Sequence, residues 1–271
     1  MSDDRALVDT LARAWWGIHD LCADLTEADW AAPTDCPGWS VKDHLSHIAG
    51  TEARLLGRPV PAHTPADSPH VHNEIGAWNE IDVDWRRPRS GPEVLAEFDE
   101  VTTERSRQLR SYTAEDFDRN SWTPAGPGKV RDFLAIRILD IWVHDQDIRR
   151  ALGRPGHRHG PVVERTMGRL FAGMPYVVGK RVAPPDGTTV TFEVAGPAGR
   201  TYAVVVEAGR AKPLPEPPPT PSALLSMDQD VFVQLACGRG DAKELLDTGA
   251  VRLEGDEALG RAVIVNMNFM P

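Results

Sequence analysis

Arg137-Ile138-Leu139-Asp140-Ile141-Trp142-Val143-His144-Asp145-Gln146-Asp147-Ile148-Arg149-Arg150 reads as the middle of a long, largely apolar helix. Asp140 and His144 stand four residues apart, so both side chains leave one face, about a turn from each other. Phe133, Ile136 and Ile148 share that face, which predicts that it looks inward. Desolvating a lone carboxylate or imidazole is costly, so the pair needs partners. A divalent metal with a third protein ligand is one solution. A buried ion pair with Arg137, three residues before Asp140, is the other.

Upstream, Leu7, Leu11, Trp15, Ile18, Cys22 and Leu25 recur at helical spacing over residues 4–25. Ser40-Val41-Lys42-Asp43 matches a capping box and opens a second helix containing His44, Leu45, His47, Ile48 and Leu55. A third runs from about Pro92 to Tyr112. Residues 58–90 are rich in Pro, His, Asp and Asn and are expected to be irregular, with His63, His70 and His72 as solvated loop residues. Residues 116–129 read as a turn region. Four helices with one long crossover predict a four-helix bundle over residues 1–158.

Residues 159–271 read as a small α+β domain. A helix over 161–180 leads to a half-buried strand, in which Val190, Phe192 and Val194 alternate with polar residues. Tyr202, Val204 and Val206 make the returning strand. Leu214 to Pro221 is a stiff, proline-rich spacer. A helix from Asp228 to Cys237, a short one near Lys243–Leu246, a strand at Val251–Leu253 and a last helix from Asp256 complete the chain.

Composition narrows the function. The 271 residues carry 30 Lys+Arg against 40 Asp+Glu, a formal charge of −10, with no basic stripe. Nucleic acid and anionic membrane are therefore poor partners. No apolar run approaches the roughly 20 residues that span a bilayer, and the N-terminus is acidic. Three scattered cysteines, Cys22, Cys36 and Cys237, argue against a disulfide framework. The expectation is a cytoplasmic protein acting on small molecules.

His44 and His47 are the candidates for a third ligand, and the neighbours of His47 suggest the inward side. Two histidines and a carboxylate with an open fourth position suit a catalytic zinc better than a closed structural one. The same donors could hold another divalent ion, such as non-haem iron.

The run Cys36-Pro37-Gly38-Trp39-Ser40-Val41-Lys42-Asp43-His44-Leu45-Ser46-His47-Ile48-Ala49-Gly50 resembles the first signature of the mycothiol-dependent maleylpyruvate isomerase family, whose bundles are DinB-like. Arg137-x-x-Asp140-x-x-x-His144-x-x-Asp147 resembles the second. Leu235-Ala236-Cys237-Gly238-Arg239 and Leu253-Glu254-Gly255-Asp256 resemble its C-terminal, sterol-carrier-like domain. The resemblance implies metal ligands at His47, Asp140 and His144, usually on zinc, mycothiol as thiol cofactor, and an active-site role for Arg239. One position departs: the family carboxylate is usually glutamate, and Asp140 is shorter by roughly 1.5 Å. Cys36 and Trp39 are expected only to shape the entry to the second helix.

Three functions fit this resemblance. A metal-activated thiolate could add to an activated double bond and leave after rotation, giving cis–trans isomerisation. It could instead remain on an electrophilic substrate, as in a mycothiol S-transferase. A non-catalytic module binding a small molecule or a metal is the third.

Overall fold

The computed structural model describes residues 3–270, which fall into two compact units, one ending at His157 and one starting at Arg158. In the first, four long helices carry the architecture: α1 (Asp3–Cys22), α3 (Val41–Leu55), α5 (Gly91–Arg110) and α7 (Val130–Ala151). Helix α1 packs on α7, α7 on α3, α3 on α5 and α5 on α1, which closes a four-helix bundle. Each helix buries its apolar stripe: Leu7, Leu11, Trp15 and Ile18 from α1, Leu45 and Ile48 from α3, Val94 and Phe98 from α5. Burying one such side chain contributes roughly 1.5–3 kcal/mol.

Helix α7 differs from the rest. Residues Ile136 to Ile148 are buried on every side except at Asp140, as in a helix wrapped by others. Ser40 caps helix α3: its backbone N–H donates to Asp43 Oδ2 at 2.8 Å, the carboxylate's part of a capping box, and its hydroxyl donates to the same oxygen at 2.9 Å.

The expected irregular stretch over 58–90 is partly helical: α4 spans Glu74–Arg86 and packs on α3. Its buried residues are Glu80, Asp82, Val83 and Arg86, so its inward face has no apolar periodicity to read. Charge pairing replaces hydrophobic contact there: Asp82 meets Arg54 and Arg86, and Arg86 meets Glu97 at 2.7 Å. His63 and His70 are not simply solvated. His63 Nε2 lies 2.7 Å from Asp84 Oδ2, and His70 Nε2 lies 3.2 Å from Glu80 Oε2. Only His72 is exposed as expected. Short helices α2 (Glu27–Trp30) and α6 (Ala114–Asp118) and a hairpin of β1 (Asn120–Thr123) and β2 (Gly126–Lys129) occupy the remaining connections, so the expected turn region over 116–129 is more ordered than its polar composition suggests.

The second unit begins with α8 (Pro161–Tyr176), which runs into a π-helical turn at Val177–Val182. Its mixed sheet has five strands in the order β5 (Arg210–Leu214), β4 (Thr201–Glu207), β3 (Thr189–Ala195), β6 (Ala223–Asp228), β7 (Val251–Gly255). All neighbours are antiparallel except β3 and β6. Strands β5 and β6 flank the proline run and were not expected. Pro213 makes β5 look like a breaker, yet a proline is tolerated on an edge strand, which β5 is. Helices α9 (Gln229–Ala236), α10 (Ala242–Asp247) and α11 (Glu257–Val265) follow, and Phe171, Phe192 and Phe232 fill the core. Among the described residues no helix is long and apolar enough to cross a membrane.

Candidate metal centre

The packing of α3 on α7 brings the expected donors together. His47 Nε2 lies 3.3 Å from Asp140 Oδ2, and His144 Nε2 lies 3.5 Å from Asp140 Oδ1. One donor atom from each of the three residues lies within 4.8 Å of the others. Zinc bonds of about 2.1 Å at a tetrahedral angle separate two donors by about 3.4 Å, so the observed spacings fit a shared cation. His47 and His144 are buried, whereas the Asp140 side chain is 27% exposed, so the group opens on the Asp140 side.

Asp140 is held by more than the imidazoles. Arg137 Nη1 donates to its Oδ2 at 2.5 Å, while Arg137 Nε and Nη2 both donate to Glu52 Oε1, at 3.0 and 2.9 Å. The metal and the ion pair, alternatives from sequence, are compatible here. Arg137 occupies one side of a carboxylate that has capacity left for a cation. Burial alone would raise the Asp140 pKa, but Arg137, His144 and His47 outweigh it and hold the carboxyl well below its usual range. His47 is pushed the other way: burial lowers its pKa, and Asp140 only partly opposes this. For His144 burial also lowers, but Asp140 and Asp147 raise it well above the ordinary histidine value.

His144 faces a second group with its other nitrogen. His144 Nδ1 lies 2.9 Å from His44 Nδ1 and 3.4 Å from Asp147 Oδ2, and Cys36 Sγ lies 3.5 Å from the same Asp147 oxygen. Cys36, His44, His144 and Asp147 therefore form a second set of donors that can hold a metal ion. His44 is fully buried. The Trp39 ring centroid lies 5.5, 5.4 and 5.8 Å from those of His44, His47 and His144, and its indole N–H donates to Glu80 Oε2 at 3.0 Å. Cys36 and Trp39 thus belong to the site rather than only to the helix entry. The sequence signal for them is their position just ahead of α3, in the same signature as His44 and His47. Arg239 lies in the second unit after α9, where its Nη1 donates to Cys237 O at 3.0 Å, and it is not one of the donors.

Fold and site together define a class: a helical bundle with a buried group of two histidines and a carboxylate, followed by an α+β unit. Residues 11–149 match the family described as mycothiol maleylpyruvate isomerase N-terminal domain, and residues 171–265 match the SCP-2 sterol transfer family. The chain belongs to the mycothiol maleylpyruvate isomerase N-terminal domain family. Among solved structures it is similar to mycothiol-dependent maleylpyruvate isomerase, with a TM-score of 0.57 at 15% identity over 88% of this chain and 90% of that one. A histidine-to-alanine mutant of the isomerase gives 0.57 at 14% identity over the same shares. At such identity the likeness shows the fold alone. No curated protein matches the chain by sequence.

Proposed function

We propose that the chain is a zinc- and mycothiol-dependent enzyme that isomerises a cis-unsaturated dicarboxylic keto acid of the maleylpyruvate type. The observation that carries this reading is the convergence of His47, Asp140 and His144 from two helices, with Asp140 partly exposed. A bound zinc ion would supply a Lewis-acid position that makes a nearby thiol acidic. The chain contributes the rest. Arg137 fixes the Asp140 carboxylate, so the donors are set before a ligand arrives. Burial of His47 and His144 keeps bulk water from one side of the group. Arg239 keeps the role the family resemblance implies, a guanidinium that takes a substrate carboxylate through two parallel hydrogen bonds.

The chemistry balances without an oxidant. The thiol S–H bond breaks and a C–S bond forms, while the alkene π pair moves onto the conjugated carbonyl. The former double bond rotates. Return of the electron pair expels sulfur, and a proton restores the thiol. A transferase would stop at the C–S bond. Both readings place the partners as small molecules in the cytoplasm.

The test is metal content, then turnover. About one zinc per chain in the wild type, lost in His47→Ala and Asp140→Ala, supports the site. Steady conversion of maleylpyruvate by zinc-loaded protein with mycothiol supports the isomerase, and a stable mycothiol adduct supports the transferase. Zinc-loaded protein that does neither overturns the enzymatic reading in favour of a binding module.

A further inference from the structure

The two donor sets share His144, and a neutral imidazole has one lone pair for a metal. Which nitrogen offers it is decided by a hydrogen-bond chain that ends on a backbone carbonyl. Thr34 Oγ1 lies 3.0 Å from Trp39 O, 3.2 Å from Cys36 N and 2.8 Å from His44 Nε2. Trp39 O can only accept and Cys36 N–H can only donate. A hydroxyl has one hydrogen and two lone pairs. If its hydrogen went to His44, two oxygens would face each other at 3.0 Å with nothing between them. All three contacts are satisfied only when Thr34 donates to Trp39 O and accepts from both Cys36 N–H and His44 Nε2–H.

The rest of the chain follows. A His44 that carries one ring hydrogen has it on Nε2, where Thr34 accepts it, and turns an accepting Nδ1 to a His144 nitrogen that the Asp147 carboxylate also faces. The 2.9 Å contact between His44 Nδ1 and His144 Nδ1 needs one hydrogen, and His144 must supply it. Asp147 Oδ2, 3.4 Å from the same nitrogen, favours an N–H there as well. When a cation displaces the second proton, His144 presents its Nε2 lone pair on the side where Asp140 and His47 stand.

We propose that Thr34 and His44 are positioning residues that fix the tautomer of His144, so that the cation is held by His144 Nε2 with His47 and Asp140. In that arrangement Cys36, His44 and Asp147 act as a hydrogen-bonding cradle and not as ligands. This deepens the metal site of the proposed function, but its test needs no turnover.

The experiment is a cobalt(II) titration of the full-length chain, followed by its visible and near-ultraviolet absorption, together with 15N NMR of histidine-labelled, zinc-loaded protein. One cobalt per chain is expected, with no thiolate-to-metal charge-transfer band and a spectrum unchanged by Cys36→Ser. The His144 Nδ1 should carry a proton and its Nε2 the metal. Thr34→Val, which removes the hydroxyl facing His44 Nε2, should weaken cobalt binding about 10-fold, in the range typical for groups behind a ligand. Thr34→Ser, which keeps the hydroxyl, should restore it, with helical content unchanged in both. A charge-transfer band lost in Cys36→Ser, ligation through Nδ1, cobalt affinity indifferent to Thr34→Val, or no bound cobalt would each overturn the proposal. Bound cobalt with the expected spectrum but no thiol chemistry would overturn only the enzymatic reading.

Discussion

Arg137 makes three contacts with one guanidinium, two to Glu52 and one to Asp140. Removing it leaves Glu52 buried with, among the described residues, the 3.5 Å contact to Arg105 Nε, which is the costly way to break an ion pair. Arg137→Met should therefore lose about 3–5 kcal/mol in urea unfolding, and a loss under about 1 kcal/mol would mean the pair does not hold α3 to α7. Glu97 gives a pH prediction. Burial would raise its pKa, but hydrogen bonds from Arg86 and Arg89 outweigh this and hold it below the ordinary 4.5. A carboxylate depressed in the folded state stabilises above its unfolded pKa, and that contribution is lost as pH falls through the folded value. Glu97→Gln should thus melt below the wild type at neutral pH, and the gap should close as pH drops below 4.5. A gap that is constant with pH would show that the carboxylate's charge is not what stabilises. At this scale the spacing of Asp140 and His144 is legible in the sequence because four residues is a property of one helix. The 3.3 Å approach of His47 is not, since it depends on how two helices pack.

Helix α3 is legible as an element because its cap is local: Ser40 and Asp43 are three residues apart and meet in the first turn. Helix α4 is illegible for the opposite reason. Its buried positions are mostly charged, and their partners Arg54 and Glu97 lie on α3 and α5. Gly50 stands at the contact between α3 and α4, where a Cβ would overlap the Asp82 carboxylate. Gly50→Ala should push Asp82 away from Arg54 and Arg86 and cost about 1–3 kcal/mol by overpacking, despite alanine's better helix propensity. A stability equal to or above the wild type in urea would show that α4 yields at no cost. Gly38 is constrained twice over, by a φ of +79° and by the His70 ring against it.

For the whole molecule, both donor sets lie in the first unit, so an ion bound there stabilises that unit by mass action. At a free zinc concentration 100 times Kd the gain is about 2.7 kcal/mol. Hydrogen exchange should slow in α3 and α7 on zinc addition and recover with a chelator, while the sheet of the second unit stays unchanged. Equal slowing in both units would place the ion's effect elsewhere. The sequence by itself determined the four long helices, the strand pair at 189–207 and the capped start of α3, because each depends on periodicity or on contacts a few residues apart. It also carried both family signatures. Only the tertiary structure decided that α4 is a helix, that β5 and β6 flank the proline run, and that Thr34, Cys36 and Trp39 stand beside His44 and His144. Those contacts join residues up to 111 positions apart in the chain. Their energies come from matched charges and hydrogen bonds, which leave no periodic trace in the sequence.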